Sequence, residues 1–251
     1  MQAMKFYVAG HTDALTHAVA TLKEKGCEFA PAPSKDVTHL LLPCPTFKGD
    51  ALKGGGDIGE VLSGLSKNII IVGGQLTHPQ LQGYTCVDLL ADAQYLAENA
   101  QITAHCAIKV ALDQLPVVLY EQPVLVAGWG RIGKCLAQLL RNMGARVTVS
   151  ARKEQDRAMI RALGYDAIDP AVSGYSLVAF RVIFNTVPEM LFPNDILQFC
   201  HKDCLKIDLA STPGMEGSDV VVARGLPTKE APESSGQLIA KTVLRLRGNL
   251  L

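Results

Sequence analysis

The sequence predicts an α/β protein with two doubly wound parallel-sheet domains, and three observations support this fold class. Short apolar runs rich in β-branched residues alternate with helical patterns along most of the chain. One apolar run leads directly into a triple-glycine motif, and a helical pattern follows that motif. A second strand-and-helix pair begins near the N-terminus, so the chain carries two similar α/β halves.

The composition is typical of a globular protein. A chain of 251 residues can form one large domain or two small ones, and 48% of its residues are hydrophobic. The formal net charge of zero argues against a nucleic-acid or membrane surface, and no export signal or membrane anchor is expected. Seven cysteines at irregular spacing indicate reduced thiols, and the close pair Cys200 and Cys204 lacks a second pair for zinc. We therefore expect a cytoplasmic protein without a bound metal ion.

The first half predicts a small α/β layer, with a helix over 14–25 that Gly26 ends. Its strands are expected at 6–9, 27–30, 38–42, 69–72 and 84–87. Residues 48–59 are rich in glycine and lack apolar periodicity, so we interpret them as a flexible loop near the carboxyl edge of the sheet. Helices over 92–99 and 103–114, the second ended by Pro116, would connect this first domain, residues 1–100, to the second.

The second domain is expected to cover residues 101–231. A strand from Pro123 enters the glycine motif, a helix then runs to Gly144, and a further strand spans 146–150. More strands are expected at 177–185, 205–209 and 220–223. Pro232 is well placed as a first helical residue, and the last helix, about 232–251 with its pattern reaching Leu246, should pack back on the first domain.

The motif Gly128-Trp129-Gly130-Arg131-Ile132-Gly133 predicts a dinucleotide site in a Rossmann-like domain. Gly128 permits the tight turn, Gly130 lets a pyrophosphate approach the backbone, and Gly133 lets helix and strand pack closely. Free N–H groups at the start of the helix would then face the anion. The alternative is a tight turn without a ligand, which the matching strand and helix make less favourable.

The segment Ser150-Ala151-Arg152-Lys153 after the second strand predicts which dinucleotide binds. An NAD-selective site usually has an acid at this strand tip for the ribose 2′-hydroxyl. Here a hydroxyl and two cations can instead hold a 2′-phosphate, so NADP(H) is the predicted cofactor and NAD the second choice. The alternative is that Arg152 and Lys153 merely open a solvated helix.

Later strand ends supply the remaining candidates for this cleft. An amide and a hydroxyl in Asn185-Thr186-Val187-Pro188 could flank a nicotinamide ring, and Ala210 and Ser211 follow the next strand. His105, Asp208 and Glu233 are the candidate titrating groups near this cleft, and His11 is a further candidate. Ordinary turn chemistry stays open as an alternative, with Asp208 as a structural acceptor for loop N–H groups.

Several segments together resemble the A subunit of bacterial dipicolinate synthase. The resemblance runs from about residue 99 to 236 and includes the runs 99–108, 150–152, 185–188, 207–211, 225–227 and 231–236 besides the glycine motif. It implies NADP-dependent oxidation of a dihydrodipicolinate-type dicarboxylate to the aromatic spore solute, in partnership with a flavoprotein-like B subunit. It also implies substrate contacts from Thr103, Gly225, Leu226, Pro227 and Ser235. A homo-oligomer is a further candidate assembly.

The chain departs from this family in the linker helix, where His105 and Cys106 stand in place of the family's Glu-Gly. Imidazole in place of a carboxylate predicts little ordinary dipicolinate synthase activity. Two other hypotheses stay open. The first is a relative of the 2-hydroxyacid dehydrogenases, which would need an arginine to clamp the substrate carboxylate and a histidine, both near the end of the second domain. Arg224 is the only arginine at these late strand ends, and no histidine follows His201. The chain could also be a non-catalytic nucleotide-binding partner or sensor.

Overall fold

The computed structural model of the chain describes residues 4–171 and 174–246, with the backbone alone for 174–176. Expectations for residues 1–3 and 247–251, including the end of the last helix, lie outside the described residues. The chain divides into two compact units. The first comprises Met1–Asn99 and Pro227–Leu251, and the second comprises Ala100–Leu226.

The first unit is built on a five-stranded parallel sheet and a separate two-stranded hairpin. Its strands are β1 (Lys5–Val8), β2 (Glu28–Phe29), β3 (His39–Leu41), β4 (Phe47–Lys48), β5 (Ala51–Leu52), β6 (Ile70–Gly73) and β7 (Thr85–Asp88). The sheet order is β2-β1-β3-β6-β7. When only the strands of this sheet are counted, that is the order 2-1-3-4-5 of flavodoxin-like sheets.

Helix α1 (Asp13–Glu24) follows β1 and has clear start and stop signals. Thr12 caps its N-terminus by accepting a hydrogen bond from the Leu15 N–H at 3.1 Å, and Asp13 places a negative charge in the first turn. At the other end Gly26 adopts a φ of +80°, which a side chain would disfavour. The predicted helix over 14–25 is therefore present, one residue earlier.

The interpretation of residues 48–59 as a flexible loop is wrong in part. This stretch contains the end of the β4–β5 hairpin, and helix α2 (Ile58–Ser63) begins within it behind the cap residue Asp57. Strands of two residues are too short to show an alternating pattern, so periodicity could not detect them. The glycine-rich part, residues 54–56, does lack regular structure, and each of its glycines has a positive φ.

The two helices expected over 92–99 and 103–114 form one continuous helix, α3 (Ala93–Gln114). Residues 100–102 contain neither proline nor glycine, so nothing in the chain interrupts the helical hydrogen bonds there. Asp92 starts the helix by accepting a hydrogen bond from the Tyr95 N–H at 2.7 Å. The first turns of α3 thus belong to the first unit and the remainder to the second.

The second unit is built on a six-stranded parallel sheet. Its strands are β8 (Pro123–Ala127), β9 (Arg146–Ser150), β10 (Asp166–Ile168), β11 (Val182–Asn185), β12 (Leu205–Asp208) and β13 (Val220–Val222). They lie in the order β10-β9-β8-β11-β12-β13. Counted along the chain this is 3-2-1-4-5-6, the order of doubly wound dinucleotide-binding sheets. Together with the parallel sheet of the first unit, it confirms the predicted fold class.

Helices α4 (Arg131–Asn142), α5 (Glu154–Ala162), α6 (Asn194–Leu197) and α7 (Leu226–Glu230) connect or follow these strands. The strand expected at 177–185 is shorter than predicted, because residues 174–179 form a 3-10 helix. Leu177 and Phe180 enter the same apolar cluster from this turn, three residues apart. The apolar run 177–180 is typical of a strand as well as of a buried helical turn, which explains the error. Strand β10 was not predicted.

The last helix, α8 (Pro232–Leu246), packs on α1 within the first unit, as predicted. Gly236 makes this close approach possible. A Cβ atom built there would lie 2.4 Å from the Ala14 carbonyl oxygen and 2.7 Å from the Ala18 nitrogen. Arg245 and Lys241 also form ion pairs with Asp92 and Glu98.

We predict that Gly236→Ala lowers the free energy of unfolding. Alanine normally stabilises a helix by up to about 1 kcal/mol relative to glycine. Here the added methyl group meets backbone atoms of α1 that cannot move aside locally, so the overpacking cost should prevail and leave a net loss of about 1–3 kcal/mol. Urea unfolding measures the change. The exposed Ser234→Ala on the same helix is the control, and an unchanged midpoint for Gly236→Ala would contradict the close packing.

Candidate functional site

A cavity of about 270 Å³ opens in the second unit where the sheet order reverses between β8 and β11. Ligands of doubly wound sheets bind at this position, beyond the carboxyl ends of the strands. The cavity walls come from residues 128–130, 150–153 and 186–188, together with Asp156, Pro170 and Leu191. Three of the predicted cofactor-binding segments therefore meet at one place.

The three glycines of the motif differ in whether their surroundings leave room for a side chain. Gly128 has a φ of +104°, and a Cβ there would lie 2.5 Å from Thr186 Oγ1. At Gly133 a Cβ would lie 2.2 Å from the Gly128 carbonyl oxygen. Gly130 has an ordinary φ of −78°, and no atom lies within 4 Å of its Cβ position. The fold itself therefore needs Gly128 and Gly133, but it does not need Gly130.

The start of α4 faces this glycine turn without a side-chain cap. Gly130 occupies the cap position, no side chain accepts from the first N–H groups, and the first turn carries no acidic residue. Such a helix end favours an anion. Of the other predicted motif residues, Arg131 is exposed and Ile132 half-buried, and neither is part of the cavity wall.

Trp129 lines the cavity, and two side chains contact its ring. The Lys134 ammonium is 5.6 Å from the ring centroid, and Tyr165 packs against the indole edge at a centroid distance of 6.1 Å. Trp129 is the only tryptophan of the chain. Its fluorescence can therefore report on this cavity alone.

The turn between β9 and α5 carries the predicted phosphate-binding segment. Ser150 and Ala151 are buried, whereas Arg152 and Lys153 are exposed. Arg152 forms an ion pair with Glu189 at 3.1 Å, with both side chains more than half exposed. Such a surface pair contributes at most about 1 kcal/mol, so it can open for a ligand.

Two carboxylates near this turn were not predicted from the sequence. Residues 150–153 contain no acid, but Asp156 in the first turn of α5 lines the same cavity, and Glu189 reaches Arg152 from the turn after β11. Asp156 lies only three residues beyond Lys153, and the helix brings it back towards the turn. That spacing was the signal that could have identified it.

Asn185 and Asp208 form a buried hydrogen-bonded pair at the ends of β11 and β12. Asp208 accepts from the Asn185 amide at 2.9 Å, from the Gly214 N–H at 3.0 Å and from the Ala210 N–H at 3.2 Å. Asn185 also donates to the Val187 carbonyl and accepts from the Val187 N–H, both at 3.0 Å. The two residues are 0% and 1% exposed.

This network involves two of the predicted site residues. Asp208 was a candidate catalytic group, but its oxygens are occupied by chain donors, with Arg224 at 3.7 Å as a further partner. Asn185 was expected beside the cofactor, yet its amide is fully used inside the protein. Asn185 holds the turn at 186–188 through Val187, and Asp208 holds the Asn185 amide. The alternative role considered for Asp208, a structural acceptor for loop N–H groups, matches this geometry.

Other residues of this edge are arranged in two groups. Thr186 donates its hydroxyl to the Ala127 carbonyl at 2.8 Å and, with Val187 and Pro188, lines the cavity. Ala210 is buried and Ser211 exposed, and neither is part of the cavity wall. The residues after β11 therefore contribute to the cavity, and those after β12 do not.

The predicted catalytic and substrate-binding residues outside these strands are not among those that line the cavity. His105 is exposed on α3, with its Nε2 atom 3.3 Å from the Gln101 amide nitrogen. Thr103 is buried on α3, and Ser235 is buried on α8 in the first unit. Of the remaining three, Gly225 lies directly before α7 with a φ of +65°, and Leu226 and Pro227 are the first two residues of α7.

Within the described residues, no three side chains of histidine, cysteine, aspartate or glutamate cluster as metal ligands would. Cys200 and Cys204 share a thiol hydrogen bond, which lowers the pKa of Cys200 and, together with burial, raises that of Cys204. No described helix is both long and apolar enough to cross a lipid bilayer.

A curated protein matches a part of this chain. The A subunit of dipicolinate synthase from Bacillus subtilis (strain 168) is 28% identical over 156 residues, which cover 59% of this chain. The chain is similar to that dipicolinate synthase component. This confirms the resemblance noted from the residues. The match spans 52%, about half, of the relative's length, and no protein-family model matches the chain.

Solved structures share the whole fold. The crystal structure of the dipicolinate synthase A subunit from Bacillus halodurans superimposes with a TM-score of 0.84, covering 98% of this chain and 99% of that one at 20% identity. A transhydrogenase from Sinorhizobium meliloti gives a TM-score of 0.73 at 12% identity, covering 98% and 94% of the two chains. At these identities the likeness concerns the fold alone.

Proposed function

We propose that this chain binds NADP(H) and acts as an oxidoreductase component similar to the A subunit of dipicolinate synthase. The observation that carries the proposal is Gly130. Among the described residues, no atom beyond its immediate neighbours lies within 4 Å of its Cβ position, and its φ is ordinary, so the fold gives no reason for a glycine there. A pyrophosphate that approaches the backbone at the start of α4 supplies that reason.

The residues at the cavity fit a nicotinamide dinucleotide. The uncapped start of α4 and residues 129–130 offer N–H groups to a pyrophosphate, whereas the Gly128 N–H donates to the Ser150 carbonyl. Thr186, Val187 and Pro188 form the opposite wall. Trp129 and Leu191 add apolar surface. A bound cofactor of this class supplies hydride transfer, while the chain's own residues bind and orient it.

The choice of NADP over NAD rests on Arg152 and Lys153. Both are exposed cations at the cavity, and a guanidinium can bind a phosphate with two parallel hydrogen bonds. Asp156 and Glu189 act in the opposite direction, because a carboxylate repels a 2′-phosphate and can accept from a ribose 2′-hydroxyl. NAD therefore stays the second choice.

The proposed substrate class is a small dicarboxylate of the dihydrodipicolinate type, and a flavoprotein-like B subunit is the proposed partner. The sequence similarity to the A subunit of dipicolinate synthase supports both. In such an oxidation the substrate loses a hydride to NADP⁺ and a proton to a base, which gives the aromatic dicarboxylate and NADPH. His105 and Cys106 stand where the family carries Glu-Gly.

A second candidate is a nucleotide-binding protein without turnover. The favouring observation is that neither proposed titrating group, Asp208 nor His105, lines the cavity. Asp208 is used by four chain partners, and Arg224, the candidate clamp of a hydroxyacid dehydrogenase, is held by Asp208 and by the Ala210 carbonyl. The two candidates share cofactor binding and differ only in catalysis.

We predict that Gly130→Ala abolishes binding of NADPH and NADH but leaves the fold intact. The methyl group has space in the free protein and would collide only with a bound pyrophosphate. Titration of Trp129 fluorescence measures binding, and thermal unfolding measures stability. Gly133→Ala is the contrast, because its methyl group meets the Gly128 carbonyl and should cost about 1–3 kcal/mol of stability. Normal cofactor binding by Gly130→Ala would refute the proposed site.

We predict opposite effects from the two members of the exposed ion pair. Arg152→Ala should weaken NADPH binding about tenfold to a hundredfold and leave NADH binding nearly unchanged, because a charge-assisted phosphate contact is lost. Glu189→Gln should strengthen NADPH binding about two- to fivefold, because the Glu189 carboxylate then no longer competes with the 2′-phosphate for Arg152. The control is Lys202→Ala, which removes an exposed charge before β12. Equal affinities of the wild type for both dinucleotides would count against NADP.

We predict little dipicolinate formation by the wild-type chain with a B subunit, and an increase of at least about tenfold for His105→Glu, because a general acid–base group typically contributes about 10²–10⁴-fold. The assay supplies NADP⁺ and a dihydropyridine dicarboxylate, and absorbance at the reduced-nicotinamide band reports the NADPH that forms as the dicarboxylate is oxidised. The exposed His201→Glu serves as the matched control. Robust wild-type activity would overturn the hypothesis of a lost acid, whereas inactivity of every variant despite NADPH binding would favour the second candidate.

A further inference from the structure

Arg157 is a largely buried arginine in α5 that no motif singles out, and its side chain is only 14% exposed. Its Nη1 atom donates to the carbonyl oxygens of Ala151 and Arg152 at 2.7 and 2.8 Å, and to Asp169 at 2.6 Å. Its Nε and Nη2 atoms face Glu154 at 2.9 and 2.8 Å. One guanidinium thus links the β9–α5 turn, the first turn of α5 and the segment after β10.

These contacts leave Arg157 no free nitrogen for a ligand. Each of its three nitrogens already faces an acceptor, and Glu154 and Asp169 balance its charge. The neighbouring Arg161, together with Arg157, lowers the pKa of Glu154. Arg157 can therefore influence a bound ligand only through the segments that it holds.

The first of these segments presents two backbone donors. In a trans peptide the carbonyl group and the following N–H point in opposite directions. Because the carbonyls of Ala151 and Arg152 point at Arg157, the N–H groups of Arg152 and Lys153 point away from it. Neither N–H donates to another group in the described part of the chain. Consecutive N–H groups of this kind form a site for an anion.

The second segment forms the facing part of the same wall. Asp169 accepts from Arg157 through Oδ2 and from the Ala171 N–H through Oδ1 at 2.9 Å. Pro170 lies between them and lines the cavity with Arg152 and Lys153. Arg157 therefore holds both segments that would enclose the ribose of a dinucleotide at this end of the cavity.

Resting on the proposed NADP(H) binding, we propose that Arg157 is a positioning residue that determines the preference for a 2′-phosphorylated dinucleotide. It orients the N–H groups of Arg152 and Lys153 towards the phosphate position and holds the Arg152 side chain at the mouth of the cavity. Without it, the two carbonyl oxygens and Asp169 Oδ2 lose the guanidinium as their partner, and the turn is free to reorient. The pyrophosphate contacts at the glycine turn do not depend on Arg157.

The test compares NADPH and NADH affinities, followed through Trp129 fluorescence, in Arg157→Ala, Arg157→Lys and Arg161→Ala. Arg161 is the matched control, because it lies one turn further along α5, pairs with the same Glu154 and contacts neither the turn nor Asp169. Arg157→Ala should weaken NADPH binding about tenfold and change NADH binding less than about twofold. Arg157→Lys keeps the charge and one or two of the contacts, so its preference should fall between those of Arg157→Ala and the wild type.

Several outcomes would overturn the inference. Equal weakening of both dinucleotides by Arg157→Ala, in step with a lowered Tm, would reduce Arg157 to a stabilising residue. If Arg157→Ala does not fold, the inference is overturned by an Arg157→Lys variant that keeps the full wild-type preference for NADPH. A wild type that prefers NADPH, with an Arg157→Ala variant that keeps this preference, overturns the inference and leaves the proposed function standing. If the wild type binds neither dinucleotide, the inference and the proposed function are both refuted.

Discussion

The buried hydrogen bond between Asn185 and Asp208 is the contact on which the carboxyl edge of the second sheet depends. It joins the ends of two neighbouring strands, and the remaining donors and acceptors of both side chains hold the turns that leave those strands. An unpaired carboxylate or amide at this depth would cost about 1–3 kcal/mol or more, so the two residues are stable there only together. The turn at 186–188 can therefore serve as a fixed wall of the cavity.

The opposite wall depends on glycine rather than on polar groups. Gly133 packs against the carbonyl of Gly128, and Thr186 fills the space beside Gly128. The start of α4 is thereby held close to the ends of β8 and β11, with its first N–H groups near the cavity. A rigid backbone of this kind loses little entropy when a ligand binds.

The sequence was sufficient to predict the strands and helices that carry local signals. The structure has a strand before the glycine motif and a helix after it, as their patterns indicate. It also has the predicted strand over 146–150 and the last helix from Pro232 to Leu246. Very short elements such as the β4–β5 hairpin and β10 lack a period and were missed. The apolar run around Leu177 was misassigned, because burial alone does not distinguish a 3-10 turn from a strand.

The candidate site was predictable only in part, for a different physical reason. Residues 128–130 and 150–153 can be recognised from local composition. The structural role of Asp208 depends on donors from Asn185 and Gly214, which lie 23 residues before it and 6 residues after it. Likewise, the reach of Glu189 to Arg152 spans 37 residues. Hydrogen bonds between separate turns leave no periodic trace in a sequence, so such partners emerge only from the fold.

The exposed pair of Arg152 and Glu189 has a consequence for how such a protein can change over time. Exchanges at exposed positions of this kind alter stability by only about 0.5 kcal/mol, whereas any side chain at Gly128 or Gly133 would strain the backbone. The part of the proposed site that Gly128 and Gly133 form is thus tied to folding, while the exposed charges of Arg152 and Glu189 are not. Under the proposed function, substitutions of these two exposed residues can change the cofactor preference while the protein stays folded.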